Sequence, residues 1–252
     1  MTPLMQLVRI PAIEYHDTEY KSGPLVRMRT DWFLGQLQWL HENGFHTLGE
    51  QELARFVSGE WKPTQRSCVL RFDLGQPTSA NTREVIIPTL RKYGFRAIFF
   101  VLTSVMKDAA EGDFHTWSEL REWEQSGLVE VGSHGVYHPK YPEVSLRKRQ
   151  WDARTSKQVI ESKLGHPILA FAYPYDSVPE RPEALLKPIG YAVAMKGHRR
   201  ERSIVTKDPD RYALPCYYPY SSDRTYPMMS AARGKTFEQM IEAAVAYAED
   251  GR

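Results

Sequence analysis

Two histidines four residues apart, His134 and His138, lie in the run Gly132-Ser133-His134-Gly135-Val136-Tyr137-His138-Pro139. Imidazoles at this spacing can aim ring nitrogens at one point when the backbone between them is helical or tightly turned, which is what a metal ion requires. The preceding Leu128-Val129-Glu130-Val131 reads as a short buried strand, and Pro139 restricts how the chain continues. Spacing alone also admits a plain pair of polar loop residues. Three further segments shift that balance: Arg71-Phe72-Asp73-Leu74-Gly75, Tyr173-Pro174-Tyr175-Asp176 and Glu14-Tyr15-His16-Asp17 each close an apolar, strand-like run. In a parallel α/β sheet the chemistry collects at the carboxyl ends of the strands. Four strand ends would thus bring carboxylates, imidazoles and phenols to one rim.

The elements that must position these groups alternate along the chain. A first strand covers Ile10 to His16, and a helix opens at Thr30 with Phe33, Leu37 and Leu40 on one face, stopped by Asn43-Gly44. Thr47 and Glu50 read as a capping box for a short helix through Phe56. A strand over Ser67 to Asp73 is followed by a helix up to Tyr93-Gly94, and Arg96 to Leu102 has the near-continuous apolar character of a strand buried on both faces. Thr116 with Glu119 caps a helix ending at Gly127, and a long helix runs from about Ser145 to Leu164-Gly165. Strands over Ile168 to Ala172, Tyr191 to Met195 and Ala213 to Tyr217 complete the pattern, with a helix at Pro182 to Ile189 and a terminal one capped by Thr236 and Gln239. Strand and helix in alternation imply right-handed crossovers and a parallel sheet, open or closed. With no linker or low-complexity tract, residues 1–252 are read as a single domain.

Composition narrows the class. The chain has 252 residues, 42% hydrophobic and 25% charged, enough apolar material for one sizeable core. A net charge of +2 gives no argument for nucleic acid or an anionic membrane. Cys68 and Cys216 make no disulfide framework and read as buried thiols. No apolar run approaches the length of a membrane span and no export signal is visible, which points weakly to the cytoplasm.

The motifs resemble those of the NodB-type polysaccharide deacetylases, carbohydrate esterase family 4. The family's first motif, Thr-Phe-Asp-Asp-Gly, stands here as Arg71-Phe72-Asp73-Leu74-Gly75; its paired-histidine motif matches Ser133 to Pro139. Thr116-Trp117-Ser118-Glu119-Leu120 and Gly127 to Gly132 follow the family's usual approach to the histidines, and Phe171-Ala172-Tyr173-Pro174-Tyr175 resembles its third motif. Tyr15-His16 with Phe33, Gln36, Leu37 and Gly44 is similar to the branch acting on poly-N-acetylglucosamine. The resemblance runs from about residue 10 to 217.

It implies a distorted (β/α)7-type barrel of parallel strands and an amide hydrolase acting on an N-acetylated glycan. His134, His138 and Asp73 would hold a divalent metal, zinc first, with cobalt or nickel as alternatives. Such an ion polarises the amide carbonyl and acidifies water, a carboxylate takes the water's proton, and an acid serves the departing amine. Asp73 and Arg71 would be catalytic, and Ser133, Tyr173, Pro174, Tyr175 and Tyr217 would contact substrate. Relatives often work at the cell envelope.

Three departures qualify that plan. Leu74 stands where the family has its metal-binding Asp, so Asp73 serves as base or moves onto the ion; Glu14, His16, Asp17 and His115 are further candidate ligands. Arg71 replaces a Thr and, two residues from Asp73 on a strand, shares its face and can pair with it. Leu214 to Tyr220 contains no histidine to act as acid, which leaves Tyr217 and Tyr218 as alternatives for that role, and His198 sits in a basic run read as a solvated loop. A glycan-binding pseudoenzyme and a hydrolase of small cyclic amides are the rival readings.

Overall fold

The computed structural model describes residues 8–19, 27–75, 81–111, 113–197, 203–219 and 237–246. Seven strands run parallel: β1 (Ala12–Tyr15), β2 (Ser67–Leu74), β3 (Ala97–Val101), β4 (Val129–Ser133), β5 (Ala170–Ala172), β6 (Val193–Gly197) and β7 (Leu214–Cys216). Their spatial order follows their order in the chain. The two outer strands meet again: Tyr217 N–H donates to the Ala12 carbonyl at 2.7 Å, and Glu14 N–H donates to the Tyr217 carbonyl at 2.8 Å. The sheet is therefore a nearly closed barrel, as the sequence pattern implied.

Among the described residues, seven α-helices surround it: α1 (Thr30–Glu42), α2 (Glu50–Ser58), α3 (Ile87–Tyr93), α4 (Trp117–Gln125), α5 (Leu146–Leu164), α6 (Pro182–Leu186) and α7 (Phe237–Ala246). Ser145 caps α5 through Lys148 N–H, and Thr116 and Glu119 form the reciprocal box at α4. The box expected from Thr47 and Glu50 shifts by two residues. Thr47 belongs to a short strand beside β2 and its hydroxyl accepts the Arg96 N–H, so Gly49 caps α2 with Glu52 folding back. Cys68 and Cys216 are buried free thiols.

Two-residue alternation sorts the strands into two cores. Leu70, Phe72, Phe99, Val101, Val131 and Phe171 point outward beneath the helices, where Phe33 and Leu37 of α1 and Trp123 of α4 meet them. Val69, Ile98, Phe100, Ala170, Ala172, Val193, Met195 and Leu214 fill the barrel. Each Val, Leu, Ile, Phe or Met among them contributes roughly 1.5–3 kcal/mol by leaving water. Gly132 shows how tight the interior is: a Cβ there would lie 2.6 Å from the Phe100 ring and 3.0 Å from the Ala170 carbonyl oxygen. The apolar plug ends one layer below the carboxyl rim, and charged groups take over.

Candidate metal centre

Alternation on β2 that sends Leu70, Phe72 and Leu74 outward sends Arg71 and Asp73 inward. Arg71 is fully buried and acts as the hub. Its Nε donates to Asp73 Oδ1 at 2.7 Å while Nη2 donates to Oδ2, a fork that fixes the carboxylate plane. Nη1 lies 2.7 Å from Glu14 Oε2 of β1, opposite Arg71 in the ladder, and Nη2 lies 3.4 Å from Asp176 Oδ1 beyond β5. Three carboxylates thus share one guanidinium. Burial pushes the Glu14 carboxyl well above its ordinary range and raises that of Asp176, which also faces Asp73. Burial acts on Asp73 in the same sense, but the Arg71 guanidinium and then the His134 imidazole overcome it and hold Asp73 below the usual carboxylate range.

The histidines descend from the end of β4. His134 N–H donates to the Val101 carbonyl at 2.9 Å, continuing the ladder one residue past the strand. Its Nδ1 lies 2.9 Å from the Ala172 carbonyl oxygen, which only accepts, so Nδ1 carries the hydrogen and Nε2 keeps its lone pair. The chain turns through Gly135 (φ 88) and reaches His138 in a left-handed conformation (φ 57). That turn brings His138 Nε2 to 3.1 Å from His134 Nε2, and Asp73 Oδ2 to 3.6 Å from the same nitrogen. Burial pushes the His134 imidazole down to about 3 and lowers that of His138 as well. Both rings are neutral near pH 7; His138 with its hydrogen on Nε2 can donate to the His134 Nε2 lone pair, and with it on Nδ1 both Nε2 lone pairs face one point.

His16 brings a second approach to Asp73. Ligand atoms of Glu14, His16 and Asp73 lie within 4.8 Å of one another, and burial drives the His16 imidazole down to about 4. The residues present suit a divalent cation on two counts. Imidazole nitrogens and carboxylate oxygens match zinc, cobalt and nickel. Asp73 is held ionised, and a bound cation would offset the burial that raises Glu14 and Asp176 and so draw their charge out as well.

Of the other residues singled out in the sequence, Tyr175 reaches the mouth, its ring 4.3 Å from that of His138, and Pro174 sits beneath it. Ser133, Tyr173 and Tyr217 are not brought to the centre. Ser133 points out of the barrel, 2.7 Å from the Ser156 hydroxyl of α5. Tyr173 is buried against Tyr141 and Phe171 and donates to the Tyr212 carbonyl. Tyr217 packs on Met240 and Ala244 of α7. Leu74 is buried in the outer apolar layer, and His115 lies apart beside Thr82 and Trp123. The Asp17 side chain, His198 and Tyr220 fall outside the described residues.

Sequence reasoning missed Asp176 as a partner of Arg71, and Asp152 of α5. Asp152 Oδ1 accepts Val136 N–H at 3.1 Å and Tyr137 N–H at 3.2 Å, and Oδ2 accepts the Tyr141 hydroxyl at 2.9 Å. It anchors the turn that presents His138. A lone acid in a helix carries no sequence signal of such a contact.

A profile of the polysaccharide deacetylase family matches residues 61–194. The Bacillus subtilis (strain 168) protein YxkH, named as a polysaccharide deacetylase, is 24% identical over 206 residues, covering 82% of this chain and 70% of that protein. The poly-beta-1,6-N-acetyl-D-glucosamine N-deacetylase of Escherichia coli (strain K12) is 29% identical over 137 residues, which cover 49% of this chain and only 20% of the enzyme. The structure of Streptococcus pyogenes deacetylase PplD in complex with acetate superposes with a TM-score of 0.75 at 22% identity, covering 93% of this chain and 99% of that one. IcaB from Ammonifex degensii gives 0.72 at 19% identity, covering 96% and 97%. At these identities the structural likeness speaks for the fold. With the profile spanning more than half of its length, this chain belongs to the polysaccharide deacetylase family.

Proposed function

We propose that the chain is a divalent-metal-dependent hydrolase that removes N-acetyl groups from an amino-sugar glycan. The observation that carries this reading is the pair of neutral imidazoles with Nε2 atoms 3.1 Å apart, one of them 3.6 Å from the Asp73 carboxylate. His134 and His138 would hold zinc, cobalt or nickel, with Asp73 supplying the carboxylate that Leu74 cannot. When bound, such an ion polarises the acetyl carbonyl and lowers the pKa of water.

The chain's own residues divide the remaining work. Ala172 fixes the His134 tautomer through its carbonyl, and Arg71 fixes the Asp73 plane. Held below the usual carboxylate range, Asp73 is a poor base and a good ligand. Proton transfer falls to Asp176, whose carboxyl is raised and whose side chain keeps some contact with solvent. Tyr175 offers an exposed ring beside His138, a surface suited to a sugar rather than to a small cyclic amide.

The test strips the protein with a chelator, reloads it with zinc, cobalt or nickel, and measures bound metal and acetate release from N-acetylglucosamine oligomers. About one ion per chain is expected, with acetate release that follows loading; both are lost in His134→Ala. Protein that retains none of the three ions refutes the reading.

A further inference from the structure

Among the described residues, five large apolar side chains are left exposed, and three of them flank the histidine turn: Tyr137 at 65%, Trp151 at 47% and Tyr175 at 61%. Exposed aromatic rings scattered singly need no account, whereas a cluster beside a cleft does. Tyr137 immediately precedes His138 in the chain, and its ring stacks on Trp151 of α5 with centroids 6.0 Å apart and planes 13° from parallel. Tyr175 lies against the His138 ring, with Lys140 Nζ 5.7 Å from its centroid.

We infer that the stacked Tyr137–Trp151 pair is a second glycan-binding surface, taking a pyranose ring of the same polymer chain beyond the sugar at His138. This deepens the reading of the chain as a glycan deacetylase and rests on it.

Three observations support that occupant. The pair is continuous with the candidate centre, because its first ring belongs to the residue next to His138. Its backbone is anchored: Tyr137 N–H donates to buried Asp152, which also holds the neighbouring Val136 N–H and is the residue next to Trp151. Holding two large rings in water at a fixed angle is what an uncharged, amphipathic ligand would use, since a pyranose presents C–H bonds from its face and hydroxyls from its edge. Rings already stacked on one another lose less side-chain freedom when a ligand settles on them.

The experiment separates binding from hydrolysis by using the metal-stripped full chain, so that substrate is not consumed. Calorimetric affinities are compared for N-acetylglucosamine dimers and hexamers, in β-1,4 and β-1,6 linkage. The hexamer of at least one linkage is expected to bind about tenfold or more tightly than its dimer. Tyr137→Ala and Trp151→Ala should each weaken the hexamer about tenfold, as truncation of an aromatic anchor does, and Trp151→Phe should restore most of it. Equal affinity for dimer and hexamer overturns the proposal, as does hexamer binding unchanged in both alanine variants. A change in sedimentation of Trp151→Ala with hexamer affinity intact makes the surface a protein contact, and also overturns it. Length-dependent binding without acetate release from any metal-loaded protein would refute the hydrolase reading while leaving this surface standing.

Discussion

Asp152 is the residue whose removal should reveal most about the site without touching it. Replacing it with alanine strands three donors: the Val136 and Tyr137 N–H groups and the Tyr141 hydroxyl. Val136 and Tyr141 are buried, so water reaches their donors poorly. A buried donor left unsatisfied costs about 1–3 kcal/mol. The shared hole admits some solvent, so the three costs do not add in full, and a total of about 2–5 kcal/mol is expected. For a domain of this size that lowers Tm by about 5–15 °C. The same substitution frees the turn that carries His138, and loss of an outer contact of this kind weakens metal affinity about 10–100-fold. Asp152→Asn keeps an oxygen for both N–H groups and should recover most of the stability and the affinity. Thermal unfolding by circular dichroism and cobalt titration by visible absorption read the two effects separately. An alanine variant that melts within about 2 °C of wild type refutes the reasoning. An asparagine variant as damaged as the alanine one does so too, because charge rather than acceptance would then hold the turn.

Two other perturbations test the surroundings. Arg71→Met leaves Glu14 and Asp73 buried without their cation, and should cost about 3–5 kcal/mol at pH 7. Both carboxylates can discharge by protonation, so that deficit should shrink in urea unfolding at pH 5; an equal deficit at the two pH values would contradict the charge argument. Burial lowers the His115 imidazole to about 4 from 6.5, so the folded chain keeps it neutral while the unfolded chain protonates it. Its contribution is complete above pH 6.5 and is lost as pH falls toward 4, on the order of 3 kcal/mol in all. His115→Gln should flatten the acid limb of the stability profile relative to wild type, and an unchanged slope would show that other groups set it.

The barrel was legible because strand runs and helix stops fall in regular alternation, and glycines such as Gly94 and Gly165 do end their helices in left-handed conformations (φ 67 and φ 84). Period-two alternation likewise placed Arg71 and Asp73 on one face. The same rule, applied to the residues after strands, would have turned Ser133 and Tyr173 away from the centre: Gly132 and His134 point in, so Ser133 between them points out. The motif positions of Ser133 and Tyr173 and their alternation along the strands point in opposite directions, and the structure follows the alternation. Asp176 and Asp152 were hidden for a different reason. Each meets its partner across a long sequence gap, through a loop conformation that no local pattern encodes.

The barrel closes where β1 meets the residue after β7, and this join is far slighter than the ladder between β3 and β4, which pairs five residues. Glu14 serves it twice, with its main chain bonded across the gap and its carboxylate reaching the Arg71 hub. A ligand that engages Glu14 would therefore also hold the first strand at this join. By mass action its occupancy appears as resistance of the cylinder to springing open along that line.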